Sequence, residues 1–312
     1  MVVGARNVVE NLHILRKDAE LMWDATFSPD GKTLTSGSVR HTVLLWRVAD
    51  GTLMRTLEGC PGPVLSVAFS PDGQILASSG LKTVWLWKVA DATLWRVLEG
   101  HSDEVRSVAF SPDGQFLASG PDDCTVRLWQ VSDGALLHVL EGHTKPVRRV
   151  AFSRKGILAS GSDDCTVRLW QVTNGALLYV LEEHTGPVGS VVFSPDGKIL
   201  ASGSGDCTVR LWQVAEGVLS HTLRGHTEGV TSVAFSPSGK VLASGSLDGT
   251  AQFWQIDSEP PCFLGILEAQ DAVSKVTFSP DGCMLALELS DCIWLYQVSA
   301  WLPQAKAQRE CV

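Results

Sequence analysis

Serine, histidine and aspartate, the residue types of a hydrolytic triad, recur as four similarly spaced sets. The sets are His101, Ser119 and Asp123; His143, Ser160 and Asp164; His184, Ser202 and Asp206; and His226, Ser244 and Asp248. A nucleophilic serine must be exposed near an oxyanion site, and none of these serines lies in a GxSxG turn. A buried aspartate, by contrast, needs hydrogen-bond donors wherever a fold repeats it. We therefore predict a structural role for these residues and no catalytic residue.

Cysteine is the second residue type with chemical potential. The segment DCTVRLWQV occurs three times and contains Cys124, Cys165 and Cys207, yet the eight cysteines of the chain include no CxxC pair. A metal site built from these cysteines and the histidines would take one cysteine and one histidine from each unit, and the histidines already have a structural role. We interpret each cysteine as a small buried residue that closes a turn, and we predict neither a metal nor another cofactor.

A repeat of 41 to 43 residues must position all of these side chains. The phenylalanines before the recurrent SPDG turn mark seven units: Phe27, Phe69, Phe110, Phe152, Phe193, Phe235 and Phe278. In residues 104–140 the segments VRSVAF, FLASG, CTVRLWQV and ALLHVL are rich in strand formers and separated by turn signals. Because both faces of such a sheet are apolar, each sheet must pack between similar sheets. Seven four-stranded antiparallel sheets stacked around an axis meet this requirement.

Composition and charge narrow the classes of partner. The chain of 312 residues has 34 acidic and 25 Lys and Arg residues, a net charge of −9, and no run of basic residues, so nucleic acid is not an expected partner. The opening residues lack the apolar core of a signal peptide, and no apolar stretch is long enough to span a bilayer. We expect a cytoplasmic, monomeric protein with reduced cysteines and no membrane partner.

The seven units closely resemble the WD-repeat (WD40) β-propeller family, and their regularity is similar to that of its bacterial members. The repeat period, the Gly-His pair, the turn and the tryptophan coincide over roughly Val9 to Val298, although no tryptophan is followed by the aspartate of the signature. The resemblance implies an all-β fold: a seven-bladed β-propeller of four-stranded antiparallel blades, which occupies residues 1–299 as a single domain. Residues 9–15 would form the outer strand of the last blade, because Leu15 lies 12 residues before Phe27, and each other fourth strand ends 12 residues before the phenylalanine of the next unit. Residues 300–312 would form a C-terminal tail, and Trp301 could dock on the propeller.

In this family a histidine, a serine, an aspartate and a tryptophan form a hydrogen-bonded chain within a blade. The resemblance assigns this chain to the four sets above, completed by Trp129, Trp170, Trp212 and Trp254. The first unit has Asp18 and Arg40 in place of the histidine and the aspartate, and we hypothesise that these two residues pair.

The resemblance also places partner recognition at variable positions on the top face. The fifth position after the histidine is occupied by Trp23, Leu65, Arg106, Arg148, Gly189, Thr231 and Ser274. Because Trp and Arg dominate binding hot spots, we predict that Trp23, Arg106 and Arg148 anchor a protein or peptide partner. We further predict that Asp122 and Asp163 meet a basic side chain of that partner. In the alternative, Trp23 packs between blades and the arginines pair with neighbouring acids.

Two classes of function remain open: a non-enzymatic interaction scaffold, and a small-ligand receptor or enzyme that uses the axial channel. The second class needs converging polar residues on the innermost strands. Five of these strands read VLSVAF, VRSVAF, VRRVAF, VGSVVF and VTSVAF, which are largely small and apolar, with Arg149 as an exception. The sequence therefore favours the scaffold.

Overall fold

The computed structural model describes residues 11–17 and 21–298, which form seven four-stranded antiparallel sheets arranged as the blades of a propeller. Strand β1 (Asn11–Leu15) comes first in the chain and belongs to the last blade. Blade one comprises β2 (Met22–Phe27), β3 (Thr33–Ser38), β4 (Val43–Arg47) and β5 (Leu53–Leu57). Blade two comprises β6 (Val67–Phe69), β7 (Ile75–Ser79), β8 (Thr83–Lys88) and β9 (Thr93–Glu99). Blade three comprises β10 (Val105–Phe110), β11 (Phe116–Pro121), β12 (Val126–Gln130) and β13 (Leu136–Leu140).

The remaining blades repeat the same order. Blade four comprises β14 (Val147–Phe152), β15 (Ile157–Ser162), β16 (Val167–Gln171) and β17 (Leu177–Leu181). Blade five comprises β18 (Val188–Phe193), β19 (Ile199–Ser204), β20 (Thr208–Gln213) and β21 (Val218–Arg224). Blade six comprises β22 (Val230–Phe235), β23 (Val241–Ser246), β24 (Thr250–Gln255) and β25 (Cys262–Glu268). Blade seven comprises β26 (Lys275–Phe278), β27 (Met284–Glu288), β28 (Ile293–Gln297) and β1.

The recurrent SPDG turn joins the first two strands of a blade for a local reason. In blade three Ser111 Oγ donates to Asp113 Oδ1 over 2.6 Å, and the same oxygen of Asp113 accepts the backbone N–H of Gln115. Gly114 has a φ of 71°, a left-handed conformation that glycine adopts without strain. The turn thus reverses the chain with its own polar groups satisfied.

The hydrophobic core lies between blades rather than inside one sheet. Trp129 of blade three packs with Leu86 and Leu98 of blade two in one cluster of buried residues. Glycine is required at position 120 on the second strand of blade three, because a Cβ atom on Gly120 would lie 2.7 Å from Val147 Cγ1 of the next blade. Each sheet therefore depends on its neighbours, as its two apolar faces predict.

The ring closes through the two ends of the described chain. Strand β1 pairs with β28 in antiparallel register, Leu15 opposite Ile293, and both side chains are buried with Trp46 of blade one. This arrangement confirms the predicted seven-bladed fold and removes an exposed sheet edge. The predicted tail with Trp301, and Asp18 of the hypothesised pair with Arg40, lie outside the described residues. Within those residues the structure has no helix with the length and apolarity needed to cross a membrane.

The three repeated cysteines close turns, but the prediction that they are buried was wrong. Cys124, Cys165 and Cys207 are partly exposed free thiols. Each adopts a left-handed φ of 66° to 70°. Blade six has Gly249, with a φ of 77°, after the corresponding aspartate. The position is therefore selected by backbone conformation at a tight turn and not by space in the core.

Candidate functional site

The Trp, Ser, His and Asp side chains form a directed hydrogen-bonded chain in blade four. Trp170 Nε1 donates to Ser160 Oγ over 2.9 Å, and Ser160 Oγ lies 2.8 Å from His143 Nε2. His143 Nδ1 lies 2.8 Å from Asp164 Oδ2. Because a carboxylate only accepts, Nδ1 carries the proton and the serine hydroxyl donates to Nε2. Blades five and six repeat these contacts through His184 and His226.

The electrostatics of the chain fit a structural role. Burial lowers the pKa of His143 despite its hydrogen bond to Asp164, so the imidazole stays neutral. Burial opposes ionisation of Asp164, but hydrogen bonds from Thr166 and His143 outweigh it and lower its pKa to about 2. Ser160 is 0% exposed, so no substrate can reach its hydroxyl. The arrangement that resembles a hydrolytic triad is therefore closed to a substrate.

Blade three departs from this pattern at the last link. Trp129 and His101 both contact Ser119 Oγ, but His101 Nδ1 lies 3.5 Å from Asp123 Oδ2, beyond a good hydrogen bond. The backbone N–H and the hydroxyl of Ser102 donate to this same carboxylate oxygen. The corresponding residues of blades four to six are threonines. The expectation of four complete chains thus fails in blade three, where Ser102 occupies the acceptor.

The top mouth of the axial channel brings together all seven residues of the fifth position after the histidine. They line one cavity of about 460 Å³. Trp23, Leu65, Arg106 and Arg148 supply its large side chains, whereas blades five to seven contribute Gly189, Thr231 and Ser274. Trp23 is partly exposed at this mouth. The mouth is therefore crowded on one side and open on the other.

Two bidentate ion pairs border this mouth. Arg106 Nε and Nη2 donate to the carboxylate of Asp122, and Glu104 contacts the same guanidinium group at 2.9 Å. Arg148 Nε donates to Asp163 Oδ1 over 2.8 Å, and its Nη2 contacts the other oxygen. An arginine of the same blade thus already occupies each carboxylate that we predict to meet a basic side chain of a partner. This pairing is the one that the alternative interpretation gives for the two arginines. The arginine side chains stay 30% and 38% exposed.

Below the mouth lies a second ring, three residues before each phenylalanine of the repeat. Its members are Asp24, Ser66, Ser107, Arg149, Ser190, Ser232 and Lys275. The serines join neighbouring blades: Ser66 Oγ accepts the N–H of Val108, and Ser107 Oγ accepts that of Val150. Ser190 and Ser232 accept from Val233 and Val276 in the same way. This ring, which we call the seam ring, is thus part of the blade-to-blade contact.

The three charged members of the seam ring meet at one carboxylate. Asp24 Oδ1 accepts from Arg149 Nη1 over 2.6 Å and from Lys275 Nζ. Asp24 Oδ2 accepts from Ser66 Oγ over 2.6 Å and from the N–H of Val67 over 2.9 Å. Burial disfavours the charged form of Asp24, but the charges of Arg149 and Lys275 outweigh it and hold its pKa well below the usual range. Asp24 has a φ of 58° where the pairing of β2 with β3 shifts register.

Glu288 completes this buried group from the second strand of blade seven. Its Oε2 accepts the N–H of Ala25 over 2.6 Å. At four of the other seams a serine of the seam ring accepts the corresponding N–H, but Lys275 cannot do so because an ammonium group has no acceptor. Burial raises the pKa of Glu288 to about 7, although the charge of Lys275 opposes the shift. Five other blades have glycine here, at Gly37, Gly120, Gly161, Gly203 and Gly245. A carboxylic acid thus replaces glycine at the seam that closes the ring.

Sequence reasoning missed Asp24, Lys275 and Glu288, although the repeat contained a signal for them. Asp24 and Lys275 stand where four blades have serine, and Glu288 stands where most blades have glycine. All three belong to the first and seventh blades. The five innermost strands on which the sequence prediction for the channel rests belong to blades two to six, so they do not include these residues. Arg149 is an exception among the strands of blades two to six, but its partner Asp24 comes from blade one.

The channel continues below the seam ring as a cavity of about 350 Å³. Arg149, Ser190, Ser232 and Lys275 line both the upper and the lower cavity, so they form the constriction between them. Arg149 and Lys275 are the only charged residues common to the two linings among the described residues. Residues 11–17 and 21–298 contain no cluster of three or more His, Cys, Asp or Glu side chains arranged to hold a metal ion.

Comparisons with known proteins agree with this architecture. A relative in Synechocystis sp., an uncharacterized WD repeat-containing protein (sll1491), is 48% identical over 48 residues, 15% of this chain and 14% of the relative. The human WD repeat and SOCS box-containing protein 1 is 38% identical over 76 residues, 24% of this chain and 16% of its own. The WD repeat-containing protein 26 homolog of Arabidopsis thaliana is 34% identical over 74 residues, 23% of this chain and 13% of its own. The matched region is thus less than one fifth of each of these relatives.

The family model described as WD domain, G-beta repeat, matches residues 10–47, 51–88, 92–130, 134–171, 175–213 and 217–255. These six matches cover most of the chain and follow the blade order of the structure. The seventh blade, which combines both ends of the described chain, lies largely beyond them. Period, blade architecture and sequence similarity lead to one conclusion: the chain belongs to the WD40 repeat family.

Proposed function

We propose that this protein is a non-enzymatic interaction scaffold that binds a peptide or protein segment across the top mouth of the channel. WD40 propellers typically serve as protein-interaction scaffolds. The observation that carries the proposal is the uneven mouth, in which Trp23, Arg106 and Arg148 face the small residues of blades five to seven. The open half gives space to a backbone, and the large side chains offer apolar area and hydrogen-bond donors to it.

The ion pairs at the mouth contribute preorganisation. Asp122 and Asp163 hold Arg106 and Arg148 in fixed positions, so that a partner meets guanidinium groups that have already lost their side-chain entropy. Both arginines keep an exposed part through which they can contact a backbone carbonyl or a ring. Asp122 and Asp163 thus act through the arginines in this proposal.

The remaining properties of the proposed scaffold follow from composition. We propose that it acts as a monomer in the cytoplasm and binds neither nucleic acid nor membranes. The net charge of −9 opposes binding to polyphosphates and anionic lipids. Cys60, Cys124, Cys165 and Cys207 are free thiols, which suits a reducing compartment.

Selection from a random peptide display library tests the proposal and requires no identified partner. Peptides selected on the wild type are then measured on the triple variant Trp23→Ala, Arg106→Ala, Arg148→Ala. Loss of even one hot-spot residue commonly costs about 2 kcal/mol, so we expect a loss of affinity of at least about 30-fold. Phe263→Ala, which alters an exposed aromatic residue on β25, serves as the control and should bind normally. Peptides that bind the triple variant as tightly as the wild type contradict the proposal.

The axial channel supports a second candidate function, the binding of a small ligand. The specific observation in its favour is the cluster of Asp24, Arg149, Lys275 and Glu288 at the constriction. Charged side chains buried at this depth are costly, and perturbed pKa values often accompany functional sites.

A further inference from the structure

The constriction of the axial channel holds two cations on one aspartate. Arg149 belongs to blade four, whereas Asp24 belongs to blade one, so their ion pair crosses the channel. Lys275 reaches the same oxygen of Asp24 from blade seven. When Glu288 is protonated, the positive charges of Arg149 and Lys275 exceed the negative charge of Asp24 by one. Such a charge in a channel of low dielectric attracts an anion strongly.

The excess charge is accessible to a molecule in the channel. The Arg149 side chain is 29% exposed and lines both cavities, and Asp24 contacts only its Nη1 nitrogen. The guanidinium group has five N–H donors, so donors remain for a second acceptor. Ser190 lines both cavities and accepts a backbone N–H, which leaves its hydroxyl hydrogen able to point at a bound oxygen.

The rim does not compete for such a ligand. Arg106 and Arg148, the other cations of the upper cavity, are each paired with an acid of their own blade. The seam ring is therefore where the channel has an uncompensated cation. A planar guanidinium group matches the two oxygens of a carboxylate, and a single negative charge balances the cluster.

We infer that the channel constriction formed by Arg149 and Lys275 is a binding site for a carboxylate that enters from the top mouth. The carboxylate can come from a small free acid or from an acidic side chain of a segment bound at the mouth. The inference goes beyond the proposed scaffold function, because a free acid can occupy the site when no peptide is bound.

Glu288 is expected to oppose the ligand. The groups that face it are Asp24 on β2, Lys275 on β26 and, across the channel, Arg149 on β14. An ionised Glu288 neutralises the excess charge, so a bound carboxylate favours its protonated form. The pKa of Glu288 near 7 therefore makes affinity fall as pH rises from 6 to 8.

Isothermal titration calorimetry with two probes tests the inference. Succinate represents a free acid, and a capped pentapeptide with one central glutamate represents a protein side chain. Succinamide and the matching glutamine peptide, at equal ionic strength in sodium chloride, are the uncharged controls. We expect at least one carboxylate probe to bind the wild type and its uncharged counterpart not to bind. The arm that binds identifies the source of the carboxylate.

The repeat itself supplies the decisive substitution. Arg149→Ser introduces the residue that four other blades have at this position, and it leaves Asp24 paired with Lys275. Without the charge-assisted hydrogen bonds of Arg149 we expect affinity to fall about tenfold or more. Arg47→Ser, an exposed arginine paired with Asp50, is the matched control and should bind like the wild type. Equal binding by Arg149→Ser, or no binding of either carboxylate to the wild type, overturns the inference.

A second variant covers the case in which Arg149→Ser does not fold. Glu288→Gln keeps both cations and the acceptor for Ala25, but it cannot ionise. At pH 8 we expect it to bind the probe about tenfold more tightly than the wild type, with no fall in affinity between pH 6 and 8. Affinity equal to that of the wild type at pH 8 overturns the inference. The triple variant at the mouth should lose the selected peptides but still bind succinate. Peptides that bind this variant as tightly as the wild type therefore count against the scaffold and not against this site.

Discussion

At the scale of single residues, the repeated Ser, His and Asp side chains work as one directed chain of donors. Trp170 donates to Ser160, Ser160 donates to His143, and His143 donates to Asp164. Each donor has one acceptor, and the carboxylate at the end also receives the N–H of Thr144. Residue types that serve catalysis when exposed thus satisfy one another when buried.

Blade three lacks a good hydrogen bond between its histidine and its aspartate, so it allows the stability that this bond adds in the other blades to be measured. We expect Asp164→Ala to lower the free energy of unfolding by about 3 kcal/mol, because it leaves the buried Nδ1–H of His143 without an acceptor. Asp123→Ala should lower the free energy of unfolding by about 1 kcal/mol less than Asp164→Ala. Asp123 accepts hydrogen bonds from Ser102 instead of His101, and because Ser102 is exposed, water can replace the carboxylate as its acceptor in the variant. Urea denaturation of both variants measures the difference. Equal losses would show that the link between histidine and aspartate adds no stability.

At the scale of elements, closure of the ring depends on the short strand β1. Its five residues are far in sequence from their partner β28, and a single strand without a sheet has no stability of its own. The energy of docking comes from the side chains that face blade one. Leu15 lies in that interface with Leu295 and Trp46. We therefore expect substitutions on the buried face of β1 to destabilise the protein much more than substitutions on its exposed face.

Two leucines of the same strand allow this to be measured. Leu15 is 1% exposed and Leu12 is 45% exposed. We expect Leu15→Ala to destabilise the protein by roughly 2 to 4 kcal/mol through the cavity it creates. Leu12→Ala should change stability by no more than about 0.5 kcal/mol. Thermal and urea unfolding of the two variants provide the test, and a similar effect of both would mean that β1 does not close the ring through its buried face.

At the scale of the whole molecule, the similar blades form a channel whose charge is not symmetrical. Serine at the seam ring joins most neighbouring blades, while Asp24, Arg149 and Lys275 interrupt the pattern. The two cations and Glu288 come from blades four and seven and surround an aspartate of blade one. A repeat protein thus carries its distinctive chemistry where its units depart from one another.

This buried group should make stability depend on pH. The pKa of Glu288 rises from 4.5 to about 7 on folding, so the folded state binds its proton more tightly than the unfolded chain does. Its contribution to stability is complete below about pH 4.5 and is lost as pH rises through 7. Relative to Glu288→Gln, the wild type should lose roughly 3 kcal/mol between about pH 5 and 8.

Urea unfolding of the wild type and Glu288→Gln at about pH 5, 6, 7 and 8 checks this dependence. Glu58→Gln, which alters an exposed residue after β5, is the control and should follow the wild type. A constant difference between the wild type and Glu288→Gln across this range would exclude the raised pKa.

The fold and most of the structural network were predictable from the sequence because their determinants are local and repeated. The period, the turns and the alternation of apolar residues occur in every unit, so each copy reports the same structure again. Leu15 could be assigned to the last blade by its spacing from Phe27 alone. The ion pairs at the mouth were harder, because Arg106 and Asp122 are 16 residues apart and meet only through the register of β10 with β11, which places Val105 opposite Pro121.

The sequence by itself therefore determined the number of blades, their strands, the closure and the internal hydrogen-bonded chains of blades four to six. Only the tertiary structure decided which charges meet in the channel. Arg149 and Lys275 are 125 and 251 residues from Asp24, and no local pattern relates them. Their contact arises from closing seven blades into a ring, which places the innermost strands of distant units around one axis. Strand patterns depend on neighbouring residues, whereas a site on the axis depends on the geometry of the whole ring.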